Sequence, residues 1–158
     1  MTDEELEPVR RACRRSTIDL VQHDAGDDAE LERVSADVAS DRAGWPTLPA
    51  SVNRHVYQAD HIITIGTVEP HQYAGFSGGA KGIAIGCGGE ATISAMHGLE
   101  FLRDEGTKLG VTRRNPFQQA TWQLIDWTDA PRGLQIVPAS GDQPPLVFAG
   151  ALRDAYDD

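Results

Sequence analysis

The apolar residues of this chain occur in short runs separated by polar and glycine-rich turns, a spacing that predicts alternating strands and helices. The clearest run is Ile62 to Ile65, a series of β-branched residues bounded by Asp60 and Gly66. We therefore predict a strand over residues 61–65. Its apolar character is continuous, which is typical of a strand covered on both faces in the middle of a sheet. Ligands in open α/β sheets bind beyond the carboxyl ends of such strands.

Weaker patterns predict the other elements. We expect helices over residues 2–15, 53–59, 89–103 and 116–128, and further strands over residues 18–21, 134–137 and 146–149. Thr2, followed by Glu5 three residues later, has the pattern of a helix N-cap. Residues 29–39 have helical spacing without a clear assignment, and residues 44–46 and 142–145 have turn composition. Helices that alternate with strands predict an α/β fold.

Length and composition limit the partners and the compartment. At 158 residues, the chain is long enough for one α/β domain with its own core. Its net charge of −10 argues against binding to nucleic acid or to an anionic membrane surface. No apolar run approaches the roughly 20 residues of a membrane span, and the charged N-terminal residues lack the pattern of a signal peptide. The two cysteines, Cys13 and Cys87, do not suggest a disulfide framework, so we expect a cytoplasmic protein.

A glycine-dense stretch over residues 69–97 holds the residues that can do chemistry. His71 and His97 are two of the five histidines, and Lys81 is one of only two lysines. The pKa of an imidazole lies near neutrality, so His71 can accept and return a proton. Desolvation in this uncharged loop would lower the pKa of Lys81 and make its amine a nucleophile. His97 has no functional signal of its own, because a lone helical histidine is more often a structural residue.

The glycines before Lys81 suggest a ligand-binding loop. Gly75, Gly78 and Gly79 can adopt positive φ angles and let a ligand approach the main chain closely. A planar or anionic ligand could therefore lie against main-chain N–H groups in this loop. The apolar residues interleaved with the glycines argue against a flexible linker.

Three more general motifs fit the same stretch poorly. A phosphate-binding P-loop requires Gly-Lys followed by Ser or Thr, whereas Ala80 precedes Lys81 and Gly82 follows it. Residues 86–91 match the loose G-x-G-x-x-G/A dinucleotide pattern, but the apolar run before them is short for the strand that this pattern needs. A small dinucleotide-binding oxidoreductase stays open as an alternative. Cys87 with His97 would be a weak metal-ligand pair.

A longer pattern is more specific than these motifs. The chain reads Glu69-Pro70-His71, two residues, Ala74 through Gly79, one residue and Lys81, and continues through Glu90 to Met96-His97. This pattern resembles the lactate racemase family of nickel-pincer enzymes. The resemblance extends to short flanking matches, at residues 52–54 and 59–66 before the motif and at Gly110, residues 115–116 and residues 147–150 after it. The chain departs from the family at Ala80, where Arg is usual, and at Met96, where Asn is usual.

The resemblance implies a chemistry and a role for each reactive residue. His71 would be a general acid/base, Lys81 would carry a nickel-pincer nucleotide through a thioamide, and His97 would be the protein ligand to nickel. The other residues implied in cofactor binding belong to the glycine loop: Gly75, Ser77, Gly78 and Gly79. The implied reaction is racemisation or epimerisation of a small 2-hydroxy acid. A histidine takes the hydroxyl proton while hydride passes reversibly to the cofactor, which carries the difficult chemistry.

The resemblance also bears on the fold and on how much of the family is present. It implies a Rossmann-like domain with a mostly parallel sheet flanked by helices, and a strand over residues 29–39. Residues 1–158 would be one partial N-terminal domain, because the family's second histidine would precede residue 1 and its C-terminal domain would follow the chain. We therefore expect a fragment that does not racemise its substrate alone and that joins a complementing chain or a second copy. A non-catalytic cofactor-binding subunit is the alternative within the family.

Overall fold

The structure is a computed structural model that describes residues 3–14, 17–34 and 47–157. The predicted N-cap at Thr2, the predicted turn at residues 44–46 and residues 35–39 lie outside this part of the chain. Within it, none of the helices has the length and apolar character needed to cross a bilayer. The described segments form an α/β fold of short helices and three small sheets.

The strands are short and are divided among three sheets. In chain order they are β1 (Leu31–Arg33), β2 (Ser51–Asn53), β3 (Ile63–Thr67), β4 (Pro70–His71), β5 (Gly75–Phe76), β6 (Arg132–Val137) and β7 (Leu146–Ala151). The pairs β1–β2 and β4–β5 are antiparallel, and the largest sheet has the order β3-β6-β7. β1 shows that residues 31–33 are a strand rather than a helix.

The largest sheet corrects the predicted topology. β3 and β6 are parallel, whereas β6 and β7 are antiparallel. The connection over residues 138–145 is too short for the crossover that a parallel pair requires, so β7 returns beside β6 as a hairpin. The prediction of a mostly parallel sheet is therefore wrong for the described strands, and their order does not establish a Rossmann-like domain.

β3 also differs from its prediction in position and burial. It begins two residues later than predicted and lies at an edge of the described sheet, where only β6 pairs with it. Ile63 and Ile65 are 69% and 70% exposed, while Thr64 between them faces the packed side. The predicted burial of both faces is wrong, because no described element covers the outer face.

All four predicted helices are found among the described residues, but each is shorter or interrupted, and two further short helices lie outside the predicted ranges. In chain order the helices are α1 (Asp3–Cys13), α2 (Arg54–Tyr57), α3 (Lys81–Ala84), α4 (Glu90–Met96), α5 (Leu99–Arg103), α6 (Pro116–Gln123) and α7 (Leu152–Asp157). The helix predicted over residues 89–103 is interrupted at His97 and Gly98. The extended backbone of Gly98 is the N-cap of α5. The strand predicted over residues 18–21 is absent, and Ile18, Leu20 and Val21 are exposed there without a pairing partner.

The core packs around α6 and fixes the segments that carry the reactive residues. α3 packs against α6, and Ile83 of α3 is buried. The largest fully buried apolar side chains come from the same region: Ile83, Met96, Phe101, Phe117 and Leu152. A close-packed core of this kind restricts the movement of the glycine loop and of the end of α4.

Candidate active site

His71 lies on a tight hairpin that follows the carboxyl end of β3. It ends β4 and pairs with Gly75 of β5. Its Nδ1 atom accepts hydrogen bonds from the backbone N–H groups of Tyr73 and Ala74, each at 3.2 Å. Because Nδ1 is an acceptor, the proton of the neutral ring is on Nε2. The ring therefore presents an N–H group, rather than a lone pair, away from the turn.

Burial and nearby positive charge keep the His71 ring neutral. Its pKa lies below the ordinary value of 6.5, mainly because burial disfavours the charged form. The positive charges of Lys81 and His97 lower the pKa further. Both predicted partners are thus close enough to His71 to act on it electrostatically.

His97 is the C-cap of α4, and its neutral ring carries the proton on the opposite nitrogen from that of His71. Its Nδ1 atom lies 2.7 Å from the carbonyl oxygen of Ile93 and must donate, because a carbonyl can only accept. The proton of the neutral ring is therefore on Nδ1, and the lone pair of Nε2 is available. A histidine that binds a metal through one nitrogen generally donates from the other in this way.

Two aromatic rings join the histidines into one cluster. Phe117 has its ring centroid 6.4 Å from that of His71 and 5.3 Å from that of His97. Tyr73 contacts the same two imidazoles, at 6.1 Å and 5.0 Å. These contacts are tilted or edge-on, as aromatic pairs prefer. The structure thus brings together two histidines that lie 26 positions apart in the sequence.

Lys81 is the first residue of α3 and is half-buried. Burial lowers the pKa of its amine, so the neutral, nucleophilic form is easier to reach than for an exposed lysine. Ala80 before it is fully buried, which anchors the backbone at this point. The sequence expectation of a desolvated lysine agrees with this environment.

The glycines of the loop have positive φ angles, but the protein itself fills the space beside them. Gly75, Gly78 and Gly79 have φ of 79°, 82° and 57°. A Cβ at Gly75 would overlap the carbonyl of Val111, and one at Gly79 would lie 2.7 Å from the ring of Tyr156. The lack of a side chain at Gly75 and Gly79 therefore lets other parts of the protein pack closely against the backbone there. The structure shows no ligand surface at these missing side chains.

Ser77 closes the hairpin. Its hydroxyl donates to the carbonyl oxygen of Thr67 at 2.8 Å and accepts from the N–H of Glu69 at 3.0 Å. The N–H of Ser77 donates to the carbonyl oxygen of Glu69 at 2.8 Å. The hydroxyl that was predicted to bind a cofactor thus has two partners within the protein.

Two buried amides, which sequence reasoning did not single out as site residues, hold the loop. Gln135 of β6 accepts from the N–H of Gly79 at 2.8 Å. Asn115 donates to the carbonyl oxygen of Tyr73 at 2.7 Å and caps α6 by accepting from the N–H of Gln118. An Asn before a Pro is a recognisable helix start, so Asn115 carried a signal. Gln135 carried none, because a strand glutamine is ordinarily exposed.

The competing motifs have no support in this geometry. Ile83 and Ala84 are helical, so residues 86–91 do not follow the strand that dinucleotide binding requires. Burial raises the pKa of the Cys87 thiol and so disfavours the thiolate that a metal would bind. Among the described residues, no three His, Cys, Asp or Glu side chains cluster as a metal site.

The sequence has a clear family match. The family model described as the lactate racemase N-terminal domain matches residues 1–110, which include His71, Lys81 and His97. The chain belongs to the lactate racemase family. It is 31% identical to a lactate racemase of Thermoanaerobacterium thermosaccharolyticum over 114 residues, and 29% identical to one of Lactiplantibacillus plantarum over 101 residues. These alignments cover 70% and 61% of this chain.

Solved structures support the fold of this lactate racemase family member. The lactate racemase apoprotein of T. thermosaccharolyticum matches 99% of the chain with a TM-score of 0.79 and 25% identity. A Thermotoga maritima protein from a structural genomics programme matches 94% with a TM-score of 0.66 at 20% identity, which concerns the fold alone. The chain covers 36% and 41% of these two structures. It spans about a quarter of the curated lactate racemases, 27% and 21% of their lengths.

Proposed function

We propose that this chain carries the cofactor-binding and proton-handling part of a site that racemises or epimerises a small 2-hydroxy acid. One observation carries the proposal. Two imidazoles with opposite proton positions share the same aromatic neighbours, and a partly desolvated lysine acts electrostatically on one of them. This combination lies in a domain of the lactate racemase family.

A nickel-pincer nucleotide fits the donors of this site. When bound, it would supply a reversible hydride acceptor for the substrate carbon. The described side chains do not form a metal site by themselves, so nickel would need a cofactor that brings most of its ligands. Nε2 of His97 offers the single imidazole lone pair that remains to be supplied by protein. Lys81, with its lowered pKa, offers an amine for covalent attachment.

His71 would exchange the proton of the substrate hydroxyl. In the observed tautomer, Nε2–H donates a hydrogen bond to a substrate oxygen but cannot take a proton from it. Acceptance at Nε2 requires the neutral ring to carry its proton on Nδ1, where Tyr73 and Ala74 now donate. We infer that the turn at residues 72–74 releases Nδ1 when His71 acts as a base, since hydrogen bonds at apo sites often rearrange on substrate binding.

We propose that these 158 residues do not turn over substrate by themselves. Inversion needs a proton acceptor toward each face of the carbon, and two of the other described histidines are engaged elsewhere. Nε2 of His23 donates to the carbonyl oxygen of Gly88 at 2.9 Å. His55 lies 3.4 Å from the carboxylate of Glu30. A complementing chain or a second copy would complete the site, and the exposed β3 side chains Ile63 and Ile65 offer a surface for it.

The alternative within the family is a subunit that binds the cofactor without catalysing a reaction. It would use Lys81 and His97 and would leave His71 without a substrate. Addition of a complementing chain distinguishes the two, because only the racemase part gains turnover. We place either protein in the cytoplasm and propose neither nucleic acid nor membrane as a partner, in keeping with the net charge of −10.

The covalent step gives the sharpest test. The chain is produced in cells that load the Thermoanaerobacterium lactate racemase, and the intact mass of the denatured protein is measured. We expect a cofactor-sized addition in the wild type and in Lys108→Ala, which replaces an exposed lysine, but not in Lys81→Ala. Nickel retained by the native protein should fall in His97→Ala and persist in His61→Ala. A wild-type chain of unmodified mass, beside a loaded control enzyme, would overturn the proposal.

A further inference from the structure

A cavity lies beside the β4–β5 hairpin and is lined by neither histidine of the cluster nor Lys81. Its volume is about 780 Å³, which is ample for a small organic ligand. Phe76 of β5, Trp122 of α6 and Tyr156 of α7 form part of its wall. Tyr156 is half-buried, which raises its pKa to about 12, so its hydroxyl stays protonated and donates to the carbonyl oxygen of Phe76 at 3.3 Å.

The side chain of Gln118 lines this cavity with unmet hydrogen-bonding capacity. Gln118 is only 4% exposed, and neither its amide nitrogen nor its amide oxygen has a hydrogen-bond partner among the described residues. The amide lies near enough to the Tyr156 hydroxyl to lower its pKa, which opposes the effect of burial, but the two groups are not in hydrogen-bond geometry. Buried polar atoms of native proteins are nearly always paired. An orphaned donor and acceptor on one planar amide therefore points to a ligand that presents the complementary pair.

The rim of the same cavity concentrates positive charge in an acidic chain. Arg113, Arg114 and Arg153 line it and are exposed, and the described structure places none of them in an ion pair. Arg153 lies 4.1 Å above the ring of Trp122, which orients its guanidinium over the wall. Asp126 and Asp157 also line the cavity, so its charged groups sum to about +1 while the chain carries −10.

We propose that this cavity binds a small anion that also carries an adjacent donor and acceptor, such as a heterocyclic base joined to a phosphate. The anionic group would be held by Arg113 and Arg114, since guanidinium groups suit phosphate and carboxylate oxygens. The donor–acceptor edge would pair with the amide of Gln118, as glutamine pairs with the edge of a base. An anion without such an edge would leave the amide of Gln118 without hydrogen-bond partners. An uncharged base would leave Arg113 and Arg114 without an anionic partner.

This inference does not depend on the proposed function, because it uses none of the residues assigned to the racemase site. The test is therefore made in the Lys81→Ala chain, which cannot carry a covalent cofactor. Adenosine monophosphate, adenosine and inorganic phosphate are titrated separately, and binding is followed by calorimetry and by the side-chain amide signals in ¹H–¹⁵N spectra. We expect the monophosphate to bind at least tenfold more tightly than either half and to shift the Gln118 side-chain signals.

Variants separate the two contacts. Gln118→Leu should remove the advantage of the monophosphate over inorganic phosphate, and Arg113→Gln should weaken the monophosphate at least tenfold. Arg103→Gln, which changes an exposed arginine outside the cavity, should bind as the parent does. Circular dichroism checks that each variant is folded; if Gln118→Leu is not, Arg113→Gln decides. Equal binding of phosphate and the monophosphate, unchanged binding in Arg113→Gln, or no binding at millimolar concentration would overturn the proposal.

Discussion

The side-chain amide of Asn115 donates to the carbonyl oxygen of Tyr73 at 2.7 Å, and so the turn that carries His71 is tied to the start of α6. The same amide nitrogen reaches the carbonyl oxygen of Val111 at 2.9 Å. Helix α6 also contributes Phe117, which contacts both histidines. Asn115 thus fixes the position of the hairpin relative to the helix that supplies Phe117 to the aromatic cluster.

Replacement of Asn115 should destabilise the domain. Asn115 is fully buried, and Asn115→Ala removes the α6 cap and the donor to two partly buried carbonyl groups. We expect a loss of about 2–4 kcal/mol in the free energy of unfolding, measured with urea. Asn115→Asp keeps an oxygen for the cap but cannot donate, so it separates the cap from the two bonds to Tyr73 and Val111. Gln119→Ala, on the exposed side of α6, is the control; an equal loss there would contradict this role for Asn115.

Removal of the Lys81 charge should raise the pKa of His71. That charge is one of two that lower the pKa, after burial, so Lys81→Met should move the pKa toward 6.5 without restoring it fully. The ring C–H signals of His71 followed by NMR against pH report the change. Lys108→Met removes an exposed lysine and should leave the pKa where it is. A rise in both variants would indicate a general charge effect instead.

The stability of the domain should fall as the pH drops below 6.5. The folded-state pKa of His71 lies below its unfolded value of 6.5, so the unfolded chain binds the proton more readily. The contribution of His71 is fully present above pH 6.5 and is lost as the pH falls through the folded-state pKa. Urea unfolding at pH 5 to 8 should show this slope in the wild type and a shallower one in His71→Gln. Parallel slopes in the two proteins would rule out His71 as its source.

The two neutral histidines should have opposite tautomers. The contacts at Nδ1 place the proton of His71 on Nε2 and that of His97 on Nδ1. Long-range ¹H–¹⁵N spectra above pH 8 distinguish these forms directly. His23, which donates from Nε2 to Gly88, supplies an internal reference for the Nε2–H pattern. The same tautomer in His71 and His97 would refute the assigned contacts.

Gly79 and Gly141 offer a matched pair of substitutions. Both have φ of 57°, but a Cβ at Gly79 meets the ring of Tyr156, whereas nothing lies within 4 Å at Gly141. Gly141→Ala should cost about 1–2 kcal/mol from the backbone alone. Gly79→Ala should cost about 2–5 kcal/mol because overpacking adds to the same strain. Urea unfolding measures both losses. When Tyr156→Ala is also present, Gly79→Ala should cost less, whereas the cost of Gly141→Ala should stay the same.

The sequence predicts three candidate site residues but not the groups that support them. A long local motif singles out His71, Lys81 and His97, and the structure places Lys81 and His97 close enough to His71 to lower its pKa. The exposed face of β3 was missed, because continuous apolar residues report the tendency to form a strand and not what covers it. Gln135 was missed because its partner, Gly79, is a backbone group 56 positions away. Nothing in either local sequence encodes that pairing.

The break between α4 and α5 shows a similar limit. Apolar spacing continues through His97 and Gly98, so periodicity alone predicts one helix. Glycine, which has no side chain, can leave the helical conformation at little cost, and here the extended backbone of Gly98 is the N-cap of a new helix. The break leaves His97 at the end of α4, where its ring can turn back to Ile93.

The bond between Gly79 and Gln135 also imposes an order in time on a growing chain. The glycine loop leaves the ribosome 56 residues before the glutamine that fixes it. At about 5–20 residues per second, synthesis of that interval takes roughly 3–11 seconds. During this time Lys81 is already made but its loop lacks one of its hydrogen bonds to β6. A cofactor that requires the finished loop can therefore be loaded only after Gln135 has been made.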